Sequence, residues 1–262
     1  MRDAIEHNVT VLPVDINASD WDCTLEAPDT VRLGFRQVKG LKSADMQKLT
    51  DARQRIGRFA SVDQLQHETG FAQSVMKRLA EADAFGSVGL SRRTSLWQSV
   101  RATDSRSLRT SAEDDERPVH LPSMPIMQEV QTDYATIGLS LKQHPVGLVR
   151  DELRARKYIQ NRQLADLPQG RWVKVAGLVL IRQRPGTASG IVFETIEDET
   201  GVANLIVMPQ IFDLYRPATR HATFVGAEGR VERQGKVVHV HVRKMVDLTS
   251  LLSCEQRSRD FR

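Results

Sequence analysis

The sequence predicts a multidomain α+β protein, with an all-α domain of two short helical hairpins ahead of a five-stranded β-barrel. Three observations carry this. Between residues 31 and 86 apolar residues recur at three- to four-residue spacing. Between 171 and 248 the pattern switches to period two, in five strand-length runs. Between these stretches, residues 87–135 lose the periodicity and gain serine, arginine, acidic residues and proline. A chain of 262 residues has room for two small domains.

At the start, Met1-Arg2-Asp3-Ala4-Ile5 reads as the end of a helix already under way, because no N-cap residue precedes it. The chain is therefore expected to be cut from something larger. An apolar β-type run, Val9 to Val14, is broken by Pro13, and polar turn residues follow from Asp15 to Asp20. Ser43 is placed to cap a helix carrying Met46, Leu49, Ala52 and Ile56 on one stripe. Ser61-Val62-Asp63-Gln64 has the capping-box pattern. That second helix stops at Gly70, and a third carries Val75, Met76, Leu79 and Ala80. Residues 87–135, with the acidic run Glu113-Asp114-Asp115-Glu116 and Pro118, Pro122 and Pro125, are expected to be linker with local helix at most.

In the last third, Val173, Val175, Val179 and Ile181 alternate along a first strand, which Pro185-Gly186 ends. Ile191 to Ile196 and Val202 to Met208 are the second and third strands, joined by a hairpin turn at Glu197-Asp198-Glu199-Thr200-Gly201. Pro209 to Tyr215 can form one or two helical turns, with proline at the tolerated first position. Thr223 to Glu232 and Lys236 to Val246 close the set around Gln234-Gly235. Five strands with a short helix between the third and fourth match the small Greek-key barrel called the OB-fold.

Composition excludes several classes. With 40% hydrophobic and 27% charged residues and a mean hydropathy of −0.37, the chain reads as soluble and globular. No apolar run approaches the roughly 20 residues that span a bilayer, and with charge throughout residues 1–20 no secretory signal is expected. Cys23 and Cys254 are too few and too far apart for a disulfide framework or a zinc site, which fits a cytoplasmic location. Net charge is only +4, but residues 51–112 hold ten lysines and arginines against six acids, so this stretch is the expected basic patch.

No nucleotide-binding loop, nucleophile elbow or metalloprotease motif is present. Asp20 and Asp22 sit in turn-rich sequence with no strand to aim them, so they read as turn chemistry rather than a metal site. Turn geometry likewise explains Asp198 and Glu199. His239 and His241 share a strand face but lack a third ligand, and read as facing solvent or nucleic acid. Cys23 has no histidine partner at a recognisable spacing. No catalytic residue, metal ligand or bound cofactor is assigned.

Binding residues are easier to find. Lys39-Gly40-Leu41-Lys42 puts a glycine and two lysines in the turn before a helix, where backbone N–H groups can hold a phosphate oxygen. Gly70, with Lys77 and Arg78 nearby, repeats this more weakly. An ordinary glycine C-cap between antiparallel helices is the alternative for both turns. On the barrel, Phe193 alternates with Glu194, and Arg182, Arg184 and Arg220 flank it. Phe193 serves either as a base-stacking platform or as core.

Several segments together resemble the bacterial C-family replicative polymerases. Pro13-Val14-Asp15-Ile16-Asn17-Ala18-Ser19-Asp20-Trp21-Asp22-Cys23 looks most like the error-prone, damage-inducible branch. Leu33-Gly34-Phe35-Arg36-Gln37-Val38-Lys39-Gly40-Leu41 and Arg78-Leu79-Ala80-Glu81-Ala82-Asp83-Ala84-Phe85 are similar too. So are Gly138-Leu139-Ser140-Leu141-Lys142-Gln143-His144-Pro145 and Val175 to Thr187. The resemblance implies a C-terminal region. Residues 1–30 would end the fingers, 31–90 form a tandem helix-hairpin-helix domain gripping duplex DNA, and 91–170 a polar and helical connector. Residues 171–250 would form an OB-fold taking single-stranded DNA, and 251–262 a tail. The catalytic palm, with its Mg²⁺, would belong to the complete polymerase, and this chain alone would be inactive. One departure stands out: Gly40-Leu41-Lys42 lacks the second glycine of the strict hairpin motif. The implied role is sequence-independent DNA binding within an error-prone DNA polymerase, in replication and translesion repair. A palm-containing chain or accessory mutagenesis proteins would be its partners, and no membrane is involved. A free-standing single-strand-binding or adaptor protein built from the same modules is the second reading.

Overall fold

A computed structural model describes residue 4 and residues 7–104, 121–186, 190–235 and 237–252. The acidic run at 113–116, the tail from 253 and most of the helix end expected at Met1–Ile5 lie outside these residues. The chain forms two compact units, residues 1–142 and 143–262.

The first unit opens with three short strands, β1 (Thr10–Leu12), β2 (Thr24–Ala27) and β3 (Thr30–Arg32). They lie in the order β1-β3-β2, with β1 parallel to β3. Helices α1 (Ser43–Ile56), α2 (Val62–Thr69) and α3 (Gln73–Glu81) follow. Their expected apolar stripes enter one core: Met46, Leu49, Leu65, Met76 and Leu79 are fully buried beside Phe35, Phe59 and Phe85. Each such side chain contributes about 1.5–3 kcal/mol relative to exposure. The polar segment after β1 ties the helices together. Asp15 accepts from the Asn17 and Ser87 N–H groups, while the Asn17 amide accepts from Phe59 N–H and donates to Phe59 O and Ser87 Oγ.

Two caps differ from expectation. Ser61 does cap α2, accepting from Gln64 N–H, but the Gln64 side chain reaches Ala60 N–H instead of closing the box. Ser43 is not a cap at all. Lys42 holds the N-cap position of α1, in extended backbone and with no side-chain cap bond.

The expected linker also holds regular structure. Helix α4 (Arg92–Asp104) and all but the last residue of α5 (Ile126–Thr136) fall within residues 87–135, and α4 packs against α2 and α3. The buried face of α4 is polar: Arg92, Ser95 and Ser99 are each 1% exposed. A search for apolar periodicity therefore passes over it. The Arg92 guanidinium pairs with Asp133 and donates to Glu129 O at 2.8 Å, joining α4 to α5.

The second unit begins with short helices α6 (Pro145–Leu148) and α7 (Arg150–Ala155). Strands β4 (Trp172–Gln183), β5 (Val192–Glu197), β6 (Val202–Val207), β7 (Phe224–Gln234) and β8 (Val237–Asp247) then close a barrel in the order β4-β5-β6-β8-β7. All neighbours are antiparallel except β6 and β8, which are parallel. This is the OB-fold. Helices α8 (Pro209–Leu214) and α9 (Arg216–Arg220) fill the connection between β6 and β7. Inward residues of all five strands, among them Val175, Ile196, Leu205, Val225 and Val240, build the core.

The turn at Asp198 and Glu199 does more than reverse the chain. Asp198 Oδ1 accepts from the Thr200 and Gly201 N–H groups, as a turn residue does. Its other oxygen takes Asn161 N–H and the Arg150 guanidinium, at 2.8 Å each, and Glu199 chelates the same guanidinium. Burial works against ionised Glu199, but Arg150 overcomes it and holds the carboxyl below its ordinary range.

Candidate nucleic-acid interface

The two hairpin turns are one structure drawn twice, thirty residues apart. Leu41, Met46 and Leu49 after the first turn are buried at the positions of Phe71, Met76 and Leu79 after the second. Gly40 and Gly70 open the turns at φ 80° and 64°, a left-handed conformation that side chains disfavour. A Cβ on Gly40 would also lie 2.1 Å from the Arg78 guanidinium. Neither following helix has a side-chain cap, since Lys42 and Ala72 occupy the N-cap positions of α1 and α3. Backbone N–H groups at both helix starts thus lack the partner that serine or aspartate would supply, and they point where an anion could bind.

The charges around the turns are not equivalent. Lys39 donates through Nζ to Tyr134 O and Ala135 O, and its N–H bonds Thr136 O, so it caps the end of α5. Arg78 donates to Lys39 O at 2.7 Å, and Lys77 lies 3.7 Å from Glu81. Lys42 is exposed and has no partner among the described residues. Of the four cations expected at the turns, it alone is uncommitted.

The expected basic patch disperses for the same reason. Arg53 donates to Ser19 O and Asp20, Arg58 to Ser87 O and Arg93 to Pro122 O, while Arg55 faces Glu68. With Arg92 buried, the arginines of the described part of that stretch mostly hold the fold together. Guanidinium groups carry five donors in a fixed fork, so they satisfy carbonyls well.

On the barrel, Phe193 lies half-buried on the outer face of β5 and outside the core, while its neighbour Glu194 points inward. Burial raises the Glu194 carboxyl above its ordinary range, against the pull of paired Arg182. Arg182 also donates to Ala218 O, Arg220 O and Ala222 O. Four of its donor directions are therefore taken, which leaves little for a ligand. Arg184 and Arg220 behave differently: both stack on the Phe212 ring, at 5.6 and 5.8 Å from its centre. Sequence reasoning missed Phe212, because it lies in a helix of one and a half turns where periodicity says nothing. It also missed Trp172, which is 52% exposed and stacks with Arg230 at 5.3 Å. The strand pattern itself held that signal, for Trp172 precedes inward Val173 and so faces out.

Among the described residues no three His, Cys, Asp or Glu side chains converge as a metal site requires. His239 and His241 point to the outer side of β8 without a third ligand, and Asp22 pairs with Arg36 at 3.1 Å. Nor is any described helix long and apolar enough to cross a membrane.

Residues 8–95 match the helix-hairpin-helix motif family. The chain is 44% identical to error-prone DNA polymerase 1 of Rhizobium meliloti (strain 1021) over 98% of its own length and 26% of that protein. It is 44% identical to the error-prone DNA polymerase of Caulobacter vibrioides, with 97% and 26% covered. For that of Anaeromyxobacter dehalogenans the identity is 41%, with 100% and 24% covered. The chain spans about a quarter of the length of these curated relatives.

Proposed function

The chain belongs, over about a quarter of their length, with the bacterial error-prone DNA polymerases, and from that premise we propose that it is a DNA-binding C-terminal portion of such an enzyme. It holds duplex DNA at the two hairpin turns and single-stranded DNA on the barrel, without reading sequence. Nucleotide transfer and its Mg²⁺ belong to the complete polymerase, which acts in the cytoplasm in replication and translesion repair. The repeated hairpin is the observation that carries this reading: two glycine-started, side-chain-uncapped helices, one with exposed Lys42 at its first turn. Such a turn offers N–H donors and a positive helix end to a phosphate, and phosphates are alike in every sequence.

The test is duplex binding by the purified chain, measured by fluorescence anisotropy against several unrelated sequences over a salt series. Lys42→Ala should weaken all duplexes equally and lower the log–log salt slope by roughly 0.9, the value for a single neutralised phosphate. Unequal losses among sequences, or wild-type affinity and slope, would remove the first turn from the interface. Lys42 carries the role that Lys39 and Lys42 were expected to share.

A further inference from the structure

Strand register places an uninterrupted row of outward side chains around the barrel. Trp172 on β4 is opposite Arg230 on β7, which is opposite His241 on β8. His241 is opposite Ile206 on β6, and Ile206 opposite Phe193 on β5. Paired residues share a face, so all five look outward, each half-buried or exposed. Beyond Phe193 the row returns to β4 at Gln183, beside Arg184 and its stack on Phe212. An arginine–aromatic stack thus stands at each end of a path that crosses five strand spacings, roughly 24 Å at 4.8 Å per step.

The Trp172 end is equipped for more than packing. The indole N–H and the Arg230 donors have no hydrogen-bond partner among the described residues, and Arg230 forms no ion pair there. An open pocket of about 450 Å³ adjoins them, lined by Lys157, Arg171, Trp172, Lys174 and Glu228. Glu228 is paired with Lys174 at 2.7 Å, so the surplus around the indole is cationic. A flat aromatic face beside unpaired cations suits a ligand that alternates flat rings with negative charges, which describes a single nucleic-acid strand.

We propose that Trp172 and Arg230 form a base-stacking station for single-stranded nucleic acid, extending the strand path from Phe193 across β6 and β8 onto the β4–β7 side of the barrel. The inference rests on the barrel's single-strand role proposed above and adds the residues that would carry it. Trp172 stacks on a base, and Arg230 holds the indole in place while meeting a neighbouring phosphate. Arg171 and Lys157 supply further charge, and His241 and Ile206 give the strand a continuous surface between the two rings.

The experiment uses the whole chain and a fluorescein-labelled oligo-dT of about 16 nucleotides, matched to the site size of such a barrel. Trp172→Ala should weaken binding roughly 5- to 150-fold, the range for losing one base stack. Trp172→Phe should keep most of the affinity, and duplex affinity and melting temperature should stay put in both variants. Adding oligo-dT should quench indole fluorescence in the wild type, and more strongly than in Trp172→Phe. Arg230→Ala should weaken binding and flatten its salt dependence. If Trp172→Ala and Arg230→Ala keep wild-type affinity while Phe193→Ala loses it, the path runs elsewhere and this station is wrong, although the barrel reading survives. An equal loss of duplex and single-strand affinity in Trp172→Ala would also overturn it, as a general loss of fold. If the wild-type chain binds no single strand at all, the barrel reading and this inference fall together, and the face serves another partner such as an acidic peptide.

Discussion

The helical unit and the barrel both carry many arginines, yet they use them in opposite ways. In the helical unit the guanidinium groups of Arg53, Arg58, Arg78, Arg92 and Arg93 turn inward or sideways onto carbonyl oxygens. On the barrel Arg182 does the same, but Arg184, Arg220 and Arg230 sit over aromatic rings and are exposed to solvent. Counting basic residues would rank the helical stretch first as a nucleic-acid surface. Following each donor to its partner reverses the ranking for arginine and leaves Lys42 as the cation of the first turn with no partner among the described residues. Local charge surplus, then, is a poor guide where a loop-rich unit needs guanidinium groups to satisfy its backbone.

The difference can be broken most severely at an inward arginine. Arg92→Met should destabilise the helical unit by about 3–5 kcal/mol, because Asp133 would be left buried without its partner. Chemical denaturation of the chain should show an early transition for the helices while the barrel's is unmoved. A loss below about 1 kcal/mol would mean that Arg92 is not the link between α4 and α5. Arg230→Met, the outward counterpart, should leave both transitions in place.

At Phe193 the effect belongs to binding. Phe193→Ala should reduce single-strand affinity by about 1–3 kcal/mol if the ring stacks on a base. Because the ring lies outside the barrel core, melting temperature should change little. A large drop in melting temperature with unchanged affinity of the folded fraction would return Phe193 to a structural role.

Lys39 and Lys42 offer a finer separation inside one turn. Lys39→Ala removes a cap from the end of α5 and should cost about 0.3–1 kcal/mol of stability, without altering the salt slope of duplex binding. Lys42→Ala should do the reverse. Equal effects from the two would show that Lys39 leaves α5 to meet DNA.

The smallest expected effect is a pH dependence confined to the barrel unit. His144 accepts Val146 N–H through Nδ1, and burial holds its pKa below the ordinary histidine value, opposed by Glu197, Glu199 and Asp198. The unfolded chain therefore binds a proton that the folded one refuses, so stability is present above pH 6.5 and is lost as pH falls from there. His144→Asn keeps a capping acceptor and removes the titration. Melting temperature measured between about pH 7.5 and 5.5 should fall less steeply in this variant, and parallel curves would exclude His144 as the cause.

How far the sequence reveals all this depends on what is buried. The barrel could be read strand by strand, since Val173, Val175, Val192 and Val240 alternate with outward residues, although a bulge between Val179 and Ile181 breaks the period in β4 and leaves Ile181, expected on the same stripe, 50% exposed. The hairpins could be read because Met46 and Met76 head matching apolar stripes. Helix α4 could not, for its buried stripe is Arg92, Ser95 and Ser99, residues that ordinarily mark a surface. Arg150 is hidden for the same reason, since only the folded turn at Asp198 and Glu199 reveals its partners. At the candidate site, Gly40, Gly70, Lys42 and Phe193 announce themselves by turn chemistry or strand parity. The engagement of Lys39 depends on residues 134–136, almost a hundred positions away, and no local pattern contains it.

The barrel is closed, whereas the small sheet β1-β3-β2 leaves two strand edges unpaired among the described residues. On one of them, β2, Leu25 is 74% exposed, which would invite another chain to add a strand and begin aggregation. The edge is kept short at four residues, a register shift lies between Leu25 and Ala27, and Glu26 carries a charge paired with Arg32. These are the features that make an edge a poor template. A substitution such as Glu26→Val would therefore act on solubility and yield long before it acted on any binding site, and the helical unit would be the source of the precipitate.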